Sequence, residues 1–99
     1  MSDAELKNQI REGRVLLDFY ADWCGPCKML ARELKTFESE PEAEGVNVIK
    51  ANVDTYSEMA AAFGVRSIPA LFYLENGEVV DKHIGTANVQ QIKKLVSNS

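Results

Sequence analysis

Apolar residues recur along the chain with two different spacings, and these spacings predict the order of helices and strands. Segments with apolar residues at helical spacing predict helices over residues 3–12, 27–37 and 59–63, and a last helix that begins after Asn88. Nearly continuous apolar or β-branched runs predict strands over residues 15–21, 46–53, 70–74 and 79–84. The predicted order is α-β-α-β-α-β-β-α.

Capping and turn residues support these boundaries. Gly13 is expected to close the first helix, and Pro41 is expected to follow the end of the second. Asn76-Gly77 between two β-like runs predicts a tight hairpin. Three helices are preceded by residue pairs with the spacing of a capping box: Ser2 with Glu5, Thr55 with Glu58, and Asn88 with Gln91.

These elements predict an α/β fold in a single domain over residues 1–99. A long helix joins the first two strands, so a right-handed parallel crossover is expected there. The last two strands form an antiparallel hairpin, which makes the four-stranded sheet mixed. Four helices would flank this sheet on both faces in three layers, and a chain of 99 residues leaves room for one core.

Charge and composition exclude several classes of partner. The formal net charge of −4 argues against a general affinity for nucleic acid or for acidic membrane surfaces. Apolar runs are too short to span a membrane, and the first residues lack the basic-then-apolar layout of a secretory signal. A cytoplasmic location is therefore expected, where two cysteines are more often catalytic or metal-binding than a structural crosslink.

Both cysteines stand in one motif, Trp23-Cys24-Gly25-Pro26-Cys27, between an apolar strand and a helix. The unpaired N–H groups and the dipole at a helix N-terminus favour a thiolate. Cys24, at the open end of the helix, is expected to be exposed and to act as the nucleophile. Cys27 lies one turn further, on the apolar face, and is expected to be a buried thiol that resolves the mixed disulfide.

A zinc site is the main alternative use of the two cysteines. Zinc takes four ligands, and the chain offers Cys24, Cys27 and His83, which lies in a later strand beside Lys82. An inert buried pair is a weaker alternative, because Gly25-Pro26 exposes the turn. We therefore expect no metal, and no cofactor other than the redox-active pair itself.

Asp18 is the one charged residue in the first predicted strand. A carboxylate in an apolar strand is costly to ionise, so its pKa is expected to rise toward neutrality. Such a group can accept the proton that Cys27 has to lose. The alternative is an exposed, inert aspartate at the rim of the strand.

Several separated motifs, in order, resemble those of the thioredoxin family. They span nearly all of the chain from Val15 onward, and together they are far more specific than one Cys-x-x-Cys. The matching segments are Leu17-Asp18-Phe19, Trp23 to Lys28, Lys50 with Asp54, Gly64-Val65-Arg66, Ile68-Pro69, Asn76-Gly77-Glu78 and Gly85.

The resemblance implies a thioredoxin-like three-layer fold and a general protein thiol-disulfide reductase, with Gly25-Pro26 biasing the pair toward reduction. It implies that Asp18 lies beneath Cys27 and that Lys50 tunes Asp18. It also implies a cis peptide bond before Pro69, although sequence alone favours trans. The substrate-binding rim would consist of Trp23, Gly25, Pro26, Ile68, Pro69 and Gly85.

The implied partners are a thioredoxin reductase as electron donor and disulfide-containing proteins as substrates, with the chain itself a monomer. An oxidant or isomerase of the same fold, and a binding module that uses the fold as a scaffold, are the alternative functions. The redox potential separates the first alternative from a reductase. Binding that survives replacement of both cysteines would indicate the second.

The chain also departs from the family pattern. Only 22 residues precede Trp23, too few for the usual extra first strand, so residues 46–53 are expected to form a sheet edge. Arg32 replaces a proline that kinks the active-site helix, which predicts a straighter helix. Tyr20, Ser67 and Ala70 stand where tryptophan, glycine and threonine are common; the last two positions touch the expected docking surface.

Overall fold

Four strands and four α-helices follow one another in the predicted order. The structure, a computed structural model, describes residues 2–97. Within these residues no helix is long and apolar enough to cross a membrane. A 3₁₀ turn over Pro41–Ala43, which the sequence analysis did not predict, follows the second helix. The elements are α1 Asp3–Gln9, β1 Arg14–Tyr20, α2 Gly25–Phe37, β2 Val46–Asn52, α3 Ser57–Ala62, β3 Ala70–Glu75, β4 Glu78–Ile84 and α4 Val89–Val96.

The sheet is mixed, as predicted, with strand order β2-β1-β3-β4. β1 and β2 are parallel, whereas β3 runs antiparallel to both β1 and β4. Asn76 and Gly77 both have positive φ angles, 52° and 84°, which is the backbone geometry of a tight hairpin turn. β2 lies at one edge of the sheet, so the expectation for residues 46–53 is confirmed.

Alternation along β1 assigns its side chains to two cores. Leu17 and Phe19 pack on the face that α1 and α3 cover, whereas Leu16 packs on the face that α2 and α4 cover. Successive side chains of a strand point to opposite faces. Asp18 therefore points to the same layer as Leu16, which is the layer that contains the helix after the dithiol.

The first helix is shorter than predicted. It ends at Gln9, and the capping residue Ile10 has left helical geometry, with φ −96° and ψ 0°. Gly13 does not close the helix, because it pairs with the turn between β3 and β4. Its N–H donates to Oδ1 of Asn76 at 3.0 Å, and its carbonyl accepts from the N–H of Asn76 at 2.9 Å.

The predicted capping box before α3 is wrong. Tyr56 is the N-cap of α3 and its side chain makes no capping hydrogen bond, whereas the boxes at Ser2 and Asn88 are present. The N–H of Met59 in the first turn of α3 instead donates to Oδ1 of Asp3 at 3.0 Å. A carboxylate from α1 thus supplies the cap, and it also suits the positive end of the helix dipole.

Candidate active site

The dithiol lies at the junction of β1 and α2. Cys24 is the N-cap of α2, with an extended backbone, and Pro26 occupies the first turn, where a missing N–H costs nothing. The N–H of Cys27 donates to Sγ of Cys24 at 3.2 Å. The two cysteines are joined as a disulfide, with their Cα atoms 5.3 Å apart. The helix start thus directs a backbone donor at the sulfur expected to carry negative charge.

Cys24 is much less exposed than the sequence suggested. Cys24 retains 5% of its accessible surface and Cys27 retains 3%. Sγ of Cys24 lies 4.0 Å from the carbonyl oxygen of Ile68, and both cysteines pack against Ala21. The loop before β3 therefore covers the first cysteine, which the position at a helix terminus does not reveal. The two cysteines thus differ in their hydrogen bonding, while both residues are buried.

Asp18 is fully buried, which excludes the exposed and inert alternative. Neither of its carboxylate oxygens has a hydrogen-bond partner within residues 2–97. Burial raises the pKa of the Asp18 carboxyl to about 6, and the positive charge of Lys50 opposes this rise. The carboxyl is thus poised near neutral pH, on the face of the sheet that α2 covers.

Lys50 lies beside Asp18 without pairing with it. The two residues are register partners on the parallel strands β1 and β2, and Lys50 is exposed. Its Nζ atom lies over the ring of Tyr20, 4.9 Å from the ring centroid. Tyr20, Lys50 and Cys27 all line one cleft of about 200 Å³. This cleft gives Cys27 a route to solvent beside the lysine.

The loop before β3 brings Ile68 to the dithiol, and Pro69 directly follows it in the chain. The peptide bond between Ile68 and Pro69 is cis. The carbonyl of Pro69 accepts the N–H of Gly85 at 2.8 Å, which holds the end of β4 against this loop. Ile68 makes no backbone-to-backbone hydrogen bond within the part of the chain that is described. Its N–H is therefore available to an extended peptide beside Cys24, whereas its carbonyl oxygen faces Sγ of Cys24.

The six residues predicted to form the rim differ in exposure. Trp23 is 73% exposed, Gly25 and Pro26 are exposed, Ile68 and Gly85 are half-buried, and Pro69 is buried. One exposed apolar side chain next to these residues was not among those predicted. Ile84 is 50% exposed, adjoins Gly85 and pairs in the sheet with Ala70, the residue after Pro69. The predicted hairpin sets the end of β4 beside the start of β3, but the pairing of Ile84 with Ala70 depends on a register shift between Tyr73 and Leu74 that was not predicted.

His83 does not join the two cysteines. Its Nε2 atom lies 2.9 Å from the carbonyl oxygen of Thr86. Across residues 2–97, three or more His, Cys, Asp or Glu side chains are nowhere grouped as a metal ion would require. The described site is therefore a dithiol with a buried carboxyl, and its chemistry is thiol-disulfide exchange.

Comparison with known proteins agrees with this geometry. A family model for thioredoxin matches residues 1–98. The chain is 37% identical over 97 residues to thioredoxin of Listeria monocytogenes, covering 98% of this chain and 93% of that protein. Thioredoxin of Haemophilus influenzae is 45% identical over 84 residues, which is 84% of this chain and 77% of that protein.

Solved structures give the same result. Thioredoxin of Malassezia sympodialis superposes with a TM-score of 0.87 at 28% identity, over 98% of this chain and 88% of that one. A mutant thioredoxin of Halobacterium salinarum superposes with a TM-score of 0.82 at 36% identity, over 95% and 81% of the two chains. Together with the Cys24–Cys27 pair, these matches show a thiol-disulfide oxidoreductase of the protein-disulfide reductase type. The chain belongs to the thioredoxin family.

Proposed function

We propose that the chain reduces protein disulfides in two exchanges that Cys24 begins and Cys27 completes. The thiolate of Cys24 attacks one sulfur of a substrate disulfide, and the other substrate sulfur leaves as a thiolate. Cys27 then loses its proton and attacks Sγ of Cys24. The second substrate sulfur leaves and takes up a proton, so the substrate gains two electrons and the Cys24–Cys27 disulfide forms.

The observation that carries this assignment of roles is the hydrogen bond from the N–H of Cys27 to Sγ of Cys24, 3.2 Å long. A donor at a helix N-terminus stabilises a thiolate and not a thiol, so it lowers the pKa of the acceptor sulfur. Cys27 supplies the donor from inside the first turn, and among residues 2–97 no hydrogen bond reaches its own sulfur. The nucleophile is therefore the first cysteine.

Asp18 is proposed as the group that takes the proton of Cys27. Its pKa of about 6 lies close enough to neutrality for it to accept and return a proton. Alternation along β1 directs it into the layer that holds α2. Lys50 is proposed to tune this carboxyl, since its positive charge lowers the pKa that burial raises. Its contact with Tyr20 keeps that charge at the cleft of Cys27.

The substrate is proposed to bind as an extended segment beside Ile68 and Pro69. The backbone N–H of Ile68 can add a short strand-like contact, and the exposed side chains of Trp23 and Ile84 offer apolar surface. Ile84 joins the rim proposed from the sequence, which comprises Trp23, Gly25, Pro26, Ile68, Pro69 and Gly85. Family membership supports a thioredoxin reductase as electron donor, while the monomeric state and the cytoplasmic location stay predictions.

Single-cysteine variants test the two roles. Reduction of insulin by dithiothreitol, followed by turbidity, is expected to be accelerated by the wild type and not by Cys24→Ser. Cys27→Ser is expected to accumulate covalent adducts with disulfide proteins, visible on non-reducing gels. Full activity of Cys24→Ser, or adducts that form through Cys27 alone, would contradict the order of attack.

Asp18→Asn tests the proton transfer. Release of substrate from the mixed disulfide is expected to slow by about 10²- to 10⁴-fold, the usual contribution of a positioned general base. The loss is expected to be largest near and above pH 6, where the carboxyl of the wild type is ionised. Rapid-quench measurement of the mixed disulfide separates this step from the first attack, whose rate is expected to change little. An unchanged release rate would remove Asp18 from the mechanism.

A further inference from the structure

A second cleft lies beside the active-site rim, between α2 and the loop that leads into α4. It has a volume of about 350 Å³, and its lining includes Met29, Arg32 and Glu33 of α2 together with Thr86. Thr86 directly follows the rim residue Gly85, so the cleft continues the surface on which the substrate is proposed to bind. It lies on a different side of α2 from the cleft of Cys27, since the two share no lining residue.

Most polar side chains of this cleft already have partners. Asn88 and Gln91 cap α4 reciprocally, each accepting the other's N–H at 2.9 Å. Oε1 of Glu33 accepts the N–H of Val89 at 3.1 Å, which places the carboxylate at the positive end of α4. Arg32 is exposed, and within residues 2–97 its guanidinium makes no hydrogen bond or ion pair. Arg32 is therefore the charged side chain of this cleft that has no partner among the described residues.

The helix sets the distance from this charge to the dithiol. Arg32 follows Cys24 by eight residues, which is about 12 Å along a helix axis. Met29, 58% exposed, lies between the two. An extended peptide covers about 3.3–3.6 Å per residue, so roughly three to four residues of substrate span this distance.

From this geometry we infer that Arg32 is a specificity-determining residue, which favours substrates with Asp or Glu three or four residues from the attacked cysteine. The inference rests on the proposed reductase function and names a feature of its substrates. The net charge of −4 repels acidic substrates as a whole, so the preference is local to this cleft. An arginine can hold a carboxylate through two parallel N–H donors, with the aliphatic part of the substrate on Met29.

Disulfide peptides that differ at one residue test the inference. The probes carry one intramolecular disulfide and Glu, Gln or Lys at three or four residues on either side of the attacked cysteine. Second-order rate constants are measured with pre-reduced protein and quenched chromatography. At low ionic strength the wild type is expected to reduce the best Glu peptide about two- to five-fold faster than its Gln counterpart, the usual effect of an exposed ion pair.

Charge reversal supplies the control. Arg32→Glu is expected to bring the Glu-to-Gln ratio below one and to favour the Lys peptide. Lys35→Glu makes the same change in net charge and is expected to keep the wild-type ratio. Lys35 is exposed, follows Ala31 by one turn and lies in a different groove, which borders β2. Because each ratio compares two peptides on one protein, any change in thiolate reactivity cancels. In about 1 M salt the wild-type ratio is expected to approach one.

Two outcomes overturn the inference alone while leaving the reductase intact. Equal Glu-to-Gln ratios for wild type and Arg32→Glu at every peptide position would show that the cleft does not discriminate between substrates by charge. Equal reversal by Arg32→Glu and Lys35→Glu would show that net charge, and not the cleft, sets the preference. Insulin reduction measured in parallel separates the two proposals, since a protein that fails to reduce insulin contradicts the proposed function itself.

Discussion

The buried carboxyl of Asp18 makes the stability of the protein depend on pH, in a direction opposite to that of most acidic residues. The pKa of this carboxyl rises from 3.8 to about 6 on folding. Between these pH values the folded state binds more protons than the unfolded state. Stability therefore falls as pH rises through this window, and it levels off above about pH 7. At neutral pH the ionised carboxylate is retained at a cost in folding free energy.

The magnitude follows from the size of the shift. A rise of about 2 units corresponds to about 3 kcal/mol, at 1.36 kcal/mol per unit. Since Asp18 is fully buried, solvent screening does not reduce this figure as it would for a surface group. For a domain of about 100 residues, about 3 kcal/mol corresponds to roughly 12 to 24 °C in Tm.

Asp18→Asn removes the titration while keeping the shape of the side chain. The amide is also buried without partners, so the difference in slope is more informative than either absolute stability. In urea unfolding of the oxidised protein, the free energy of unfolding of the wild type is expected to fall by about 2 kcal/mol more than that of the variant between pH 4 and 8. Asp54→Asn, at an exposed residue, is the matched control and is expected to keep the wild-type slope.

A variant whose stability changes with pH in parallel with the wild type would refute this reasoning. It would show that Asp18 gains compensating contacts, or that its folded-state pKa lies near the ordinary value. A wild-type stability that rises between pH 4 and 7, set against a flat variant, would contradict even the sign of the shift.

Two further predictions concern the scaffold. Gly77→Ala is expected to lower the free energy of unfolding in urea by about 1 kcal/mol more than Gly45→Ala does. Both glycines have positive φ angles, but a Cβ atom at Gly77 would lie 3.2 Å from the carbonyl oxygen of Arg11, whereas a Cβ atom at Gly45 would meet open space. Equal losses of stability in the two variants would show that the backbone at Arg11 shifts to accommodate the added Cβ atom. Asp3→Ala is expected to cost about 1 kcal/mol through the lost cap on Met59. Asp3→Asn keeps the acceptor and is expected to lose much less, so equal losses for the two variants would contradict the capping role.

The order of elements was predictable because each element buries a regular apolar pattern. Asp18 was recognisable for the same reason, as a single charge within an apolar run. The cap of α3 was not predictable, since the N–H of Met59 is satisfied by Asp3, which lies 56 positions away in sequence. The capping that the local sequence predicts at Thr55 is therefore replaced by a tertiary contact.

The cover over Cys24 could not be predicted from local sequence either. It depends on how the loop at Ile68 folds against the start of α2, and no residue near Cys24 encodes that contact. The hydrogen bonds of Arg14 could not be predicted from local sequence either, because their acceptors are distant in the chain. Arg14 donates to the hydroxyl of Tyr73 at 2.6 Å and to the carbonyl of Val96 at 3.0 Å. A position at a helix terminus predicts a thiolate, but the solvent exposure of that cysteine depends on the assembled fold.

The hydrogen bond between Glu33 and Val89 couples the helix of the dithiol to the last helix of the fold. A rearrangement that carries the middle of α2 away from α4 has to break this bond and to release the first amide of α4. Deuterium uptake at the Val89 amide would therefore report such movement from outside the dithiol itself. An isotopic probe there could follow the reduced and oxidised states without any label on the reacting sulfurs.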